Sequence, residues 1–277
     1  METENNNKKK NTRRDFLLAS TAIAGGFLSL SLLKPLKAFS GSADAKSSTT
    51  DTAKGAAKNT NSTATPPNDH WYGFGFDIEK CIGCGSCAKA CKKENDVPLE
   101  PFFYRTWVEQ YTVKNDQTVL IESPNGGIDG FKQSVPKEDI FKAFIVPKAC
   151  NHCAKSPCEQ VCPVGASYHT PDGVVLVDQS YCIGCGYCVQ ACPYGCRYMH
   201  PEKHVVDKCT LCYHRITKGI EPACVEVCPT GARMYGDLHD KKGPLVAFIK
   251  DHNCHVLKPQ LNTKPKLFYN GLSEEVK

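Results

Sequence analysis

At 277 residues with 41% hydrophobic content, the chain can build one large or two ordinary domains, which excludes a disordered or fibrous protein. Its formal charge of +5 sits at the front: residues 1–38 hold seven Lys/Arg and three Asp/Glu, the remainder holds 27 basic and 26 acidic residues, and no basic stripe interleaved with aromatics supports nucleic-acid binding. Eighteen cysteines, about 6.5% of residues, exceed ordinary usage but fall short of the roughly 8–10% of a small disulfide-built secreted scaffold, so cysteine signals a specific chemistry.

The opening segment NNNKKKNTRRDFLLASTAIAGGFLSLSLLKPLKA has a basic head, an Arg13-Arg14 pair and a mildly apolar stretch from Phe16 to Leu33, with small-residue sites at Ala38 and Ala45. This is signal-peptide anatomy, and T-R-R-D-F-L-L resembles the twin-arginine export motif. The competing reading is an uncleaved membrane anchor, whose 18 residues only just reach spanning length and are interrupted by Ser20, Thr21, Gly25, Gly26, Ser29 and Ser31. Twin-arginine export carries folded proteins, which suits a cofactor inserted before the thiols meet an oxidising compartment. Residues 39–69 are rich in Ser, Thr, Ala and Asn and read as a flexible tether, so the folded part begins near His70. Beyond Gly243 the longest apolar stretch, PLVAFI, is too short to span a bilayer.

Within the folded part, WYGFGFDI, FFYRTWVEQYTV, AFIVP and GVVLVD have the alternation and the β-branched or aromatic content of short strands, and their aromatics are expected in the core. Segment 114–140, with NGG and several charges, reads as a surface loop or hairpin insertion and a candidate partner contact.

Sixteen cysteines fall into four quartets: Cys81, Cys84, Cys87 and Cys91; Cys150, Cys153, Cys158 and Cys162; Cys182, Cys185, Cys188 and Cys192; Cys209, Cys212, Cys224 and Cys228. A loop with cysteines every third residue curls round a compact inorganic cube and aims three sulfurs at three irons, with glycines at Ile82-Gly83 and Ile183-Gly184 allowing the tight turn. Three residues on, a helix is expected to have begun, and in the bacterial ferredoxin pattern the fourth cysteine ligates the other cluster of a pair. Proline after Cys162, Cys192 and Cys228 ends the helical turn. FDIEKCIGCGSCAKAC and VDQSYCIGCGYCVQAC align without a gap at a shift of 101, and the second and fourth quartets echo each other as CxxC, a spacer, CxxxCP and GA. Four motifs therefore imply two double-cluster modules and four 4Fe-4S clusters. Zinc is the competing reading of paired CxxC elements, but a tetrahedral ion calls for two plus two, and structural disulfides leave the proline and glycine placements without a reason.

ACKKENDVP after the first quartet, CNHCAKSPCEQVCPVGA through the second, DKCTLCYHRITKGIEPACVEVCPTGA through the fourth and the late VLKPQLNTKPKLFYNGL resemble the four-cluster iron–sulfur subunits of exported oxidoreductases, the tetrathionate, polysulfide and formate-dependent nitrite reductase systems. The resemblance covers residues 70–277. It implies an α+β fold of two nested bacterial-ferredoxin-like double-cluster modules with short strands, short helices and long loops. The domains it implies are a twin-arginine signal peptide over 1–38, a flexible linker over 39–69, the first part of the outer module with its loop insertion over 70–149, the inner module over 150–200, the second part of the outer module over 201–243 and a C-terminal extension over 244–277. One outer cluster takes Cys81, Cys84, Cys87 and Cys228, and the other Cys209, Cys212, Cys224 and Cys91. The inner pair takes Cys150, Cys153, Cys158 with Cys192, and Cys182, Cys185, Cys188 with Cys162. The 19 residues between Cys162 and Cys182, against 58 between Cys91 and Cys150, agree with that pairing. Lys92 stands where the other quartets have proline, a departure the family shares.

Cys196 and Cys254 remain over and read as buried or unremarkable thiols, with a disulfide as the alternative. His152 and His214 lie close to ligand cysteines but are expected to hydrogen-bond or face solvent, and no CxxCH occurs to attach haem. There is no nucleotide-binding glycine fingerprint and no nucleophile with an evident base, so the expected role is non-catalytic: clusters with complete cysteine ligation pass single electrons. The resemblance implies two partners, a polytopic membrane quinol/quinone subunit and a catalytic reductase subunit carrying molybdopterin or several haems, in the periplasm beside the inner membrane. The alternatives are a stand-alone periplasmic ferredoxin shuttle and a zinc-bound scaffold.

Overall fold

The structure, a computed structural model, describes residues 70–276 apart from positions 101 and 133; the expected signal over 1–38 and linker over 39–69 lie outside the described residues. The elements are short and mixed. Strand β1 (Tyr72–Asp77) is the centre of a three-stranded sheet, antiparallel to β9 (Arg233–Asp237) and parallel to β10 (Leu267–Asn270). Its sequence YGFGFD alternates large with minimal side chains. Phe74 and Phe76 are fully buried, and Phe76 meets Tyr269 edge-on at 5.7 Å, a geometry worth about 0.5–1.5 kcal/mol beyond burial. On the other face, a Cβ at Gly75 would stand 2.9 Å from Leu245 and Phe248, so glycine there lets helix α6 (Pro244–Asp251) lie directly on the strand.

A second antiparallel sheet, in the order β3-β2-β4, is formed by β2 (Thr106–Lys114), β3 (Val119–Glu122) and β4 (Ile140–Ala149). The strands expected from FFYRTWVEQYTV and AFIVP are therefore β2 and part of β4, and segment 114–140 holds the β2–β3 hairpin. One expectation fails: Phe102 is not core but 87% exposed, with φ at +83° in the loop before β2. The buried ammonium of Lys92 donates to the carbonyls of Pro98, Leu99 and Glu100 and lies 4.5 Å over the Tyr104 ring. With the preceding carbonyls turned inward, the side chain of Phe102 is left outside.

Helices follow the proline rule. The helices α2 (Pro157–Gln160), α3 (Tyr187–Gln190) and α5 (Ala223–Glu226) have four residues each, and Pro163, Pro193 and Pro229 follow soon after. Helix α1 (Ser86–Asn95) has Lys92 in place of proline and runs for ten residues to a left-handed cap at Asp96. One further short helix, α4 (Tyr213–Ile216), follows Cys212.

Each stretch after a CP turn opens a strand. Ser167 starts β5 (Ser167–His169), which pairs with β6 (Val175–Val177); Arg197 starts β7 (Arg197–Met199), which pairs with β8 (Val206–Lys208). Arg233 starts β9, whose partner β1 comes from before the first quartet, with Phe76 opposite Arg233. The helices show the same connectivity, α1 packing on α5 and α2 on α3. The C-terminal segment ties these parts together: Thr263 and Lys264 carbonyls accept from the N–H groups of Lys155 and Ala154, and the buried Lys266 ammonium donates to the Gly173 carbonyl and lies 4.1 Å from the Trp71 ring. Among the described residues no helix is long and apolar enough to cross a membrane.

Candidate functional site

The first cysteine loop leaves β1 and enters α1 through Gly85, whose φ of +66° brings the loop so close to the β3–β4 connection that a Cβ would sit 2.3 Å from the Gly127 carbonyl oxygen. The helices begin at Ser86 and Tyr187, as expected from GSC and GYC. Backbone N–H groups turn toward sulfur: within the loops His152 N lies 3.5 Å from Cys150 Sγ and Leu211 N 3.4 Å from Cys209 Sγ, and from strand β8 Val206 N lies 3.4 Å from Cys182 Sγ.

Three cavities are walled by cysteines from distant parts of the chain. Cys81, Cys84, Cys87 and Cys228 line one. Cys91, Cys209, Cys212 and Cys224 line a second, and Cys150, Cys153, Cys158 and Cys192 line a third. Around Cys162 and the Cys182–Cys188 loop, helix α2 packs on α3. An open groove between residues 255–261 and 272–276 has no cysteine in its wall.

Burial keeps several thiols of these cavities protonated unless a metal displaces the proton. Cys91 is pushed well up by burial and by the neighbouring charges of Cys209, Cys224 and Cys212. Burial first, then neighbouring thiols, pushes Cys209 and Cys153 up to about 12; Cys224 reaches about 12 in spite of Arg233, which acts the other way. Such thiols become thiolates together when a metal binds in place of their protons. Among the described residues no three Cys, His, Asp or Glu side chains converge to single-ion distance. Thiolates on one tetrahedral zinc lie only about 3.8 Å apart, so thiols standing round a cavity fit a multi-atom cube. The donor set and the enclosed space both fit 4Fe-4S clusters.

Sequence reasoning missed the polar groups between the cysteines. Asn95 Nδ2 lies 3.6 Å from Cys91 Sγ and 3.7 Å from Cys212 Sγ, and its oxygen accepts from Arg105, itself ion-paired with Asp207 at 2.9 Å. Arg197 and Arg233 stand in two cavity walls, and the side-chain amide atoms of Asn151, in the wall with Arg197, have no hydrogen-bond partner. The signal was available for the arginines: CPYGCR and CPTGAR place each five residues after a quartet's last cysteine. The histidines behave as expected. His152 is buried, and its Nδ1 accepts from Val175 N–H; His214 is exposed and pairs with Glu94. No disulfide joins any of the eighteen cysteines: Cys196 is buried, with Sγ 3.1 Å from the Ala149 carbonyl oxygen, and Cys254 is half-buried.

Two 4Fe-4S dicluster domain families match the sequence, over residues 80–166 and 141–238. It is 39% identical over 207 residues to a tetrathionate reductase subunit of Salmonella typhimurium, covering 74% of each of the two proteins. It is 43% identical to a tetrathionate reductase subunit of Archaeoglobus fulgidus, over 74% of this chain and 84% of that one. With a polysulfide reductase chain of Wolinella succinogenes the identity is 37%, over 71% of this protein and 92% of the relative.

Proposed function

This protein belongs to the 4Fe-4S ferredoxin-type iron–sulfur subunits of the tetrathionate and polysulfide reductase kind, and on that premise we propose that it relays electrons between a membrane quinol/quinone-reactive subunit and a periplasmic catalytic reductase subunit. Its two dicluster domains imply four 4Fe-4S clusters, and it is an electron-transfer subunit. Bound 4Fe-4S clusters supply one-electron redox centres with no open position for substrate.

The ligand sets are Cys81, Cys84, Cys87 with Cys228; Cys209, Cys212, Cys224 with Cys91; Cys150, Cys153, Cys158 with Cys192; and Cys182, Cys185, Cys188 with Cys162. The observation that carries this reading is the mixed wall of each cavity: the fourth cysteine comes from another quartet in all three. The packing of α1 on α5 and of α2 on α3 supports the same nested pairing for the remaining set. Adjacency supports a linear order. Cys224 feels the charge of Cys87, Cys209 that of Cys150, and Arg197 those of both Cys158 and Cys188. The first quartet's site therefore neighbours the fourth's, then the second's, then the third's.

Purifying the native complex tests the relay. Stable co-purification with a membrane subunit and a large catalytic subunit is expected; a monomer without fixed partners is the outcome that favours a diffusible shuttle. Export by the folded route is tested with Arg13→Lys and Arg14→Lys together, which should leave cluster-loaded precursor in the cytoplasm. Undiminished periplasmic protein contradicts it.

A further inference from the structure

Two buried arginines, Arg197 and Arg233, occupy matching places in the two halves of the fold. Each stands five residues after the last cysteine of a CP turn, each opens a strand, and each is about 95% or more buried. Neither has a carboxylate partner among the described residues, whereas Arg105, the other arginine near the thiols, is neutralised by Asp207. Arg197 Nη1 donates to Ser167 Oγ at 2.8 Å and its Nη2 to Cys158 Sγ at 2.9 Å. Arg233 Nη1 donates to Thr106 Oγ1 at 2.8 Å, and its guanidinium lies 4.3 Å from the Phe76 ring centroid. Arg233 Nη2, in the wall of the cavity lined by Cys81, Cys84, Cys87 and Cys228, has no hydrogen-bond partner.

An isolated buried guanidinium is costly, and a protein keeps one where an anion meets it. A cube with four thiolates is anionic in both oxidation states and gains one further negative charge on reduction. No bond forms or breaks in that step, and no proton need move, so the field of a nearby fixed cation acts directly on the equilibrium. Arg197 acts on Cys158 and Cys150 of one ligand set and on Cys188 of the next. Arg233 acts on Cys87 and Cys81 of one set and on Cys224 of its neighbour. Two buried lysines nearby turn their ammoniums to backbone carbonyls instead, Lys208 to those of Val175 and Cys209 and Lys266 to that of Gly173.

Resting on the ligand sets above, we propose that Arg197 and Arg233 are positioning residues that each hold one uncompensated positive charge between two successive clusters and raise the reduction potentials of both. The four clusters are thereby tuned as two pairs, the Arg233 pair formed on the first and fourth quartets and the Arg197 pair on the second and third. The arginines are fixed charges, so the effect does not vary with pH in the working range. A cation at this distance in a dry site acts on electron affinity more strongly than an exposed one, because little solvent screens it.

The test is potentiometric titration of the as-purified holo complex, followed by EPR, for Arg233→Met, Arg233→Lys, Arg197→Met and Arg197→Lys, with iron and acid-labile sulfide measured on each preparation. The expected result for Arg233→Met is full iron content with two clusters shifted to more negative midpoints and two unmoved. Arg197→Met should shift the complementary two, and each lysine variant should restore most of the shift. Unchanged midpoints in a fully loaded methionine variant overturn the proposal, as does a lysine variant that shifts as far as methionine. If a methionine variant loses iron, Arg→Gln replaces it: a loaded glutamine variant with shifted midpoints supports tuning. Iron loss in both neutral variants but not in lysine shows that the cation serves assembly and overturns it. A wild-type preparation without iron and sulfide sinks the ligand assignment itself, a result distinct from any of these.

Discussion

Cys209 and Cys84 illustrate two ways of preparing a thiol for the same kind of ligand role. In the middle of the molecule, Cys91, Cys209, Cys212 and Cys224 are all buried around one cavity, where burial and neighbouring thiols drive Cys91, Cys209 and Cys224 toward the protonated form. At the edge, Cys84 and Cys185 are exposed. Although what burial it has acts upward, Cys84 is held below its usual range by the hydroxyl and N–H of Ser86. Cys162, which has little burial, is lowered by the N–H groups of Ser167, Val164, Ala166 and Gly165. Burial thus works against the thiolate at Cys91, Cys209 and Cys224, whereas hydroxyl and backbone donors favour it at Cys84 and Cys162. Centre and edge differ in what the fold loses without metal.

Substitution at the centre therefore has the largest expected effect. Cys209→Ser leaves a hydroxyl among three buried thiols and should remove at least one cluster, about a quarter of the roughly 16 irons that four cubes contain, and destabilise the fold as well. Cys185→Ser at the exposed loop should remove the iron of its own site with a smaller fall in Tm. Iron analysis with calorimetry checks both; equal losses of Tm would erase the contrast. Next in size is Cys192→Ser, which tests whether the ligand sets cross. It should disturb the cluster anchored by Cys150, Cys153 and Cys158, and spectroscopic loss confined to the Cys182, Cys185 and Cys188 site would contradict the crossing.

The quartets were legible because cluster chemistry demands thiols at fixed intervals, and the three CP prolines were legible because they stop helices at defined points. The strands β1, β2, β4 and β6 could be read from β-branched and aromatic content. Two kinds of feature escaped. Phe102 looked like core because composition says nothing about which side of a loop a side chain takes. Arg197 and Arg233 went unread although CPYGCR and CPTGAR mark them, because their meaning depends on burial without a carboxylate partner, a fact of three-dimensional placement. The pairing of β9 with β1 across more than 150 residues was equally beyond local pattern.

The smallest expected effect sharpens the contrast inside one helix. Lys92 occupies the place of proline, and α1 continues past it while α2, α3 and α5 stop. Proline at 92 would remove an intrahelical hydrogen bond and press on the carbonyl four residues earlier, costing about 3 kcal/mol. Lys92→Met keeps the helix and most of the apolar stem but leaves the carbonyls of Pro98, Leu99 and Glu100 without their donor, a loss on the order of 1.5–3 kcal/mol for hydrogen bonds to a charged group. Both variants should keep four clusters, since Lys92 lines none of the cysteine cavities. Hydrogen exchange separates them: Lys92→Met should speed exchange only around residues 97–104, and Lys92→Pro should also expose the second half of α1. Faster exchange at Cys91 in the methionine variant would mean that the lysine holds the helix itself and not the loop that displays Phe102.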